Sequence, residues 1–77
     1  MTLIQRLAEQ LNKENISYNI DECQEGTCLY IEALELSAVE FDEPDEEESG
    51  FLEVISPNHF ADLITVEELT DYIYNNY

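Results

Sequence analysis

Positive charge is what this chain most lacks. Among 77 residues only Arg6 and Lys13 oppose 19 Asp and Glu, leaving a formal net charge of −17. Affinity for phosphates rests on Lys and Arg, so direct nucleic-acid binding is excluded as a function class. Tryptophan is absent, and glycine, proline and cysteine number two each. Gly26 and Gly50 stand too far apart to build a phosphate-cradling loop. Cys23, Cys28 and the single His59 fall short of the roughly four N or S ligands a structural zinc needs. The two cysteines can bridge if they flank a turn, but reduced, half-buried thiols are the expectation. No apolar run approaches the ~20 residues that span a bilayer. The first residues do not read as a secretory leader, and an acidic chain is repelled by anionic headgroups. Together these absences imply a cytoplasmic protein with no membrane partner and no cofactor.

What is present argues for a fold. Apolar residues make up 44%, with five Tyr and three Phe, which a disordered acidic tail lacks. The length suits one domain, residues 1–77, with one modest core and an acidic loop over 40–50 of mobile composition. Thr2 to Gln5 fits a capping box. Ile4, Leu7, Ala8 and Leu11 then recur at helical spacing, with Asn12 and Asn15 where the helix should stop. Ile16 to Ile20 alternates as a strand, Asp21 to Gly26 reads as a hairpin connection, and Thr27 to Leu34 resumes the strand pattern. The segment from Leu34 to Phe41 is open between an extension of that strand and a short helix. Phe51 to Ile55 suits a strand buried on part of both faces. Ser56-Pro57 resembles a helix opening, followed by His59, Phe60, Leu63 and Ile64. Thr65 to Glu68 repeats the capping-box pattern before a last helix through Tyr74. The expected fold is α+β: an N-terminal helix, a three-stranded antiparallel sheet and two C-terminal helices.

No catalytic constellation stands out. Carboxylates that do acid–base work need a pocket that pushes their pKa values apart, and a small domain has little room for one. His59 suits a helix surface better than a dyad with Cys23 or Cys28. The run from Asp42 has EF-hand charge, with Glu53 at the twelfth position, but Glu47 stands where that loop needs Gly. An enzyme is not expected, and calcium binding is expected to be weak.

Recognition by charge remains. A carboxylate presents paired oxygens to Arg and Lys much as a phosphate does. Same-face strand neighbours stand roughly 6.6 Å apart and helix neighbours about 5–6 Å apart, of the order of a phosphate repeat. The expected anionic surface is the loop carboxylates Glu40, Asp42, Glu43, Asp45, Glu46, Glu47 and Glu48. The hairpin adds Asp21, Glu22 and Glu25, the strands add Glu32, and the last helix adds Glu67 and Asp71. Tyr30 and Tyr74 are the expected aromatic contacts, since a ring supplies contact area at low entropic cost.

In length, acidity and expected element order the chain resembles small DNA-mimic proteins, many of them phage-encoded, and among them an acidic anti-CRISPR type. The resemblance implies an inhibitor that occupies the nucleic-acid-binding site of a host defence or DNA-processing enzyme, such as the Arg-lined groove of a Cas effector. The implied partner is a basic nucleic-acid-binding protein, a CRISPR effector being the first choice. Two alternatives share the composition: an acidic antitoxin or chaperone-like module that masks a basic partner, and a weak divalent-cation binder.

Overall fold

The computed structural model describes every residue except Met1, Glu48 and Asn58, and over 59–62 it describes the backbone alone. Helix α1 spans Leu3–Lys13, and its first turn leaves no N–H unanswered. The Thr2 hydroxyl accepts from the Gln5 N–H at 3.1 Å, and the Gln5 side chain accepts from the Thr2 N–H at 2.9 Å. The remaining N–H groups, of Leu3 and Ile4, donate to the Glu40 carboxylate at 3.2 and 2.9 Å. Such end groups must otherwise find water. At the far end Asn15 takes the left-handed conformation, with φ 57°. The Ile16 N–H donates to the Leu11 carbonyl and the Asn15 N–H to the Asn12 carbonyl. This is the Schellman arrangement, and it buries Ile16 beside the helix's apolar stripe.

Five strands follow: β1 (Asn19–Glu22), β2 (Gly26–Ile31), β3 (Leu36–Phe41), β4 (Leu52–Ser56) and β5 (His59–Ile64). They form one antiparallel meander in chain order. Helix α2, Val66–Asn76, opens on Thr65, whose hydroxyl accepts from the Glu68 N–H at 3.1 Å. One face of the sheet supplies Leu29, Ile31, Leu36, Ala38, Leu52 and Val54 to the core. The helices answer with Ile4, Leu7, Leu11, Leu69 and Ile73.

The expected three-stranded sheet with three helices is therefore corrected to five strands and two α-helices among the described residues. The segment after Ile31 neither extends β2 nor forms a lasting helix. Glu32–Leu34 makes one 3₁₀ turn, Glu35 turns left-handed at φ 50°, and the chain returns as β3. In β3 Leu36 and Ala38 alternate inward. Ser56-Pro57 opens no helix: β5 pairs with β4, and the Ser56 hydroxyl is buried with no partner among the described residues. Six residues are too few for a helix to propagate without tertiary support. As a strand they instead satisfy the backbone edge that β4 would otherwise expose.

Gly26 is set by close approach. A Cβ there would lie 1.9 Å from the Glu40 carbonyl oxygen on β3. Gly50 has open space around it but a φ of +86°, which other residues rarely adopt.

The Glu40 contact makes a stability prediction. Glu40→Ala strands two helix-end N–H groups and should cost about 2 kcal/mol. Removing a negative charge works the other way, but at 0.15 M salt screening over about 8 Å leaves only the nearest acids to count, and each pair about 10 Å apart repels by less than ~0.4 kcal/mol. Urea unfolding should therefore show a net loss, with Glu40→Gln intermediate because one acceptor oxygen survives.

Candidate partner-binding surface

The meander gathers acidic segments from distant parts of the chain at one end of the sheet. Gly26 pairs with Phe41, so the turn between β1 and β2 lies beside the connection between β3 and β4. The Asp42 N–H donates to the Glu25 carbonyl at 3.0 Å and ties the two together. Asp21, Glu22 and Glu25 thus stand at the same end as Asp42 and Glu43, and Glu25, Phe41, Asp42 and Glu43 line a shallow groove there. Within the loop the Asp45 carbonyl accepts from the Ser49 N–H at 3.0 Å. Asp45, Glu46 and Glu47 are exposed. Glu48 lies outside the described residues.

Both helices also begin at this end, because Glu40 holds the start of α1 and α2 follows directly from β5. A helix N-terminus carries about half a positive charge. Two of them behind the acidic loops offset part of the mutual repulsion. Glu67 and Glu68 sit in the first turn of α2, where that field favours them.

Not every expected carboxylate faces solvent for a partner. Glu40 is half-buried and spent on α1. Glu67 pairs with Arg6, an exposed bridge between the two helices. Its own backbone N–H, and then Arg6, hold its carboxyl below the ordinary carboxylate range. Glu32 begins the 3₁₀ turn at the opposite end of the sheet. Asp71 is exposed on α2, beside a depression it shares with Arg6, Gln10 and Thr70. Apart from half-buried Glu40 and Glu53, every carboxylate whose exposure is described is open to solvent.

The tyrosines divide. Tyr30 projects from the sheet face away from the helices and is exposed. The Tyr74 hydroxyl donates to the Gln10 carbonyl at 3.3 Å, fastening α2 to α1. Desolvation, and then the charges of Glu14 and Asp71, raise its pKa. Tyr18 packs against the core and donates to Asn12.

Cys23 and Cys28 are free, the first exposed and the second half-buried. Burial raises the Cys28 pKa, with further contributions from neighbouring Cys23, Asp21 and Glu25. It is a thiol at neutral pH, and a poor nucleophile. The side chain of His59 lies outside the described ones, as does that of Asp62. Among the described residues, no group of three or more His, Cys, Asp or Glu is placed to hold a metal ion, and no helix is long and apolar enough to cross a membrane.

Sequence reasoning missed Glu40's structural role and the exposure of Ile55 and Leu63 on the sheet. The alternation Leu36, Ala38, Glu40 already puts Glu40 on the inward face of a strand. For Ile55 and Leu63 the signal is Ser56-Pro57 read as a break between two strands.

Self-repulsion on this scale predicts a salt effect opposite to that of a protein held by ion pairs. The molecule measures 31 × 26 × 21 Å. The screening length falls from about 30 Å at 0.01 M salt to about 3 Å at 1 M. Raising NaCl across that range should lift the Tm by about 5 °C or more, read by calorimetry. Comparison with protein families, with curated proteins and with solved structures gave no match for this chain.

Proposed function

We propose that this chain is a DNA mimic: a protein that occupies the nucleic-acid-binding surface of a host defence or DNA-processing enzyme and so inhibits it, a Cas effector being the first target to test. One comparison of magnitudes carries the reading. The net charge of −17 is held within a longest dimension of 31 Å. A B-DNA duplex of that length carries roughly 18 phosphate charges. A basic cleft that accepts duplex therefore meets a body of comparable length and charge. Few of these carboxylates are spent internally, and the hairpin, the long loop and the start of α2 bring many of the exposed ones to one end of the sheet. The backbone bond from Asp42 to Glu25 keeps the hairpin and the loop side by side, so an Arg or Lys cleft meets both sets of anions together.

The five-stranded sheet removes the element order that formed part of the resemblance to anti-CRISPR proteins. The support that remains is charge, size and the gathering of acids. Interaction by charge at long range also speeds encounter with a basic cleft.

The test is competition. A candidate enzyme, beginning with a Cas effector loaded with its guide, is titrated with the protein at low salt while its binding to labelled duplex is followed. Displacement of duplex at stoichiometric protein, relieved by excess unlabelled duplex and weakened by salt, supports the proposal. If duplex and this protein bind the same enzyme together without competing, the mimic reading fails.

A further inference from the structure

The face of the sheet turned away from the helices carries apolar surface that the fold does not use. The register sets Asp21, Cys28, Val39, Glu53 and Leu63 in one row across all five strands, with Asn19, Tyr30, Ser37 and Ile55 in the next. Val39 is buried yet stands outside the main core cluster. Around it Tyr30, Ile55 and Leu63 are 38%, 46% and 36% exposed. Neighbouring strands lie about 4.8 Å apart, so Asp21 and Glu53 stand roughly 14 Å apart across this patch.

The charge decides what can cover it. A second copy would bring another −17 against the first, and that repulsion grows as the two approach. A partner that sets an aromatic or aliphatic side chain between arginines or lysines matches both components. Its apolar group covers the exposed Tyr30 and Ile55 while its cations reach Asp21 and Glu53. Excluding water from such a centre strengthens the charge contacts at its edge.

We infer that this sheet face is the apolar half of a protein-docking surface, and that its occupant is a basic protein segment with an apolar side chain between cationic ones. The inference rests on the charge-recognition reading above and adds where, and by what chemistry, such a partner gains affinity beyond charge.

Two synthetic peptides of equal charge test it, one alternating Arg with Trp and the other Arg with Ser, each titrated at low salt and followed by NMR. The expected result is about tenfold tighter binding of the Arg–Trp peptide, with shifts at Tyr30, Val39 and Ile55. That preference, a ratio read within each protein, should fall to about twofold or less in the Tyr30→Ser, Ile55→Ser double variant. Tyr30→Thr with Ile55→Thr, which keeps β-branched residues on the strands, is the second variant should the first not fold. Equal affinity for the two peptides overturns the inference while leaving charge recognition standing. So does a preference that survives the substitutions, or shifts confined to the acidic end. Failure of both peptides to bind overturns both readings. A dimer in sedimentation at high salt that the double variant abolishes would replace the basic partner with a second copy.

Discussion

Replacing Asp45, Glu46 and Glu47 together with lysine should abolish competition with duplex DNA while leaving the protein folded. Each reversal removes two units of negative charge, so −17 becomes −11. Close charge pairs across an interface couple by about 1.5–7 kcal/mol, so three reversals should weaken target binding by at least about a hundredfold. These side chains are exposed, and lysine at their positions relieves repulsion with neighbouring acids, so the variant should stay folded. Circular dichroism and the duplex competition assay read the two effects separately. A folded variant that competes as well as the parent would remove this loop from the interface. The Asp42–Glu25 backbone link gives the experiment a second arm. Reversal of Asp21, Glu22 and Glu25 should also weaken binding, because the hairpin shares the same end of the sheet.

Gly26→Ala should be among the most destabilising single substitutions in the molecule. Its Cβ would sit 1.9 Å from the backbone oxygen of Glu40 and 2.9 Å from the Phe41 Cα. Neither atom can swing away as a side chain can, so β2 and β3 must separate. Overpacking of this kind costs about 3 kcal/mol, or roughly 10–20 °C in Tm for a domain of this size. The damage should reach further than the hairpin, because β3 carries Glu40 and Glu40 holds the start of α1. Hydrogen exchange should show early opening of the first turn of α1 as well as of β2. A change of less than a few degrees would mean that the strands are not held so closely in solution.

Both experiments turn on how much of the molecule local sequence can encode. The caps were legible because their signals are local: Thr2 with Gln5, Thr65 with Glu68 and Asn15 each act on backbone groups a few residues away. The hairpin from β1 to β2 was legible for the same reason, although the first strand begins at Asn19 rather than Ile16. Ile16 instead packs beside the end of α1. The strand at Phe51 to Ile55 exists, but its outer face is open at Ile55. The misreadings lie where two structures fit the same short run. His59 to Ile64 after Ser56-Pro57 has the capping and apolar content of a helix turn, and only the unpaired edge of β4 makes it a strand. Leu34 to Phe41 is open at the level of sequence because its alternation is short and runs directly into the acidic loop.

The sequence alone determined the charge of −17, the two amphipathic helices with their ends, and the separation of an apolar scaffold from acidic connections. Those properties depend on composition and on neighbours within a turn or two. Tertiary structure decided the strand count, the diversion of Glu40 from solvent to the start of α1, and the commitment of Glu67 and Tyr74 to holding α2 against α1. It also brought the hairpin and the loop to one end. Each of these depends on which segments pair across the sheet. Pairing is settled by the edges and apolar faces that must be covered together, not by any one segment's own preference.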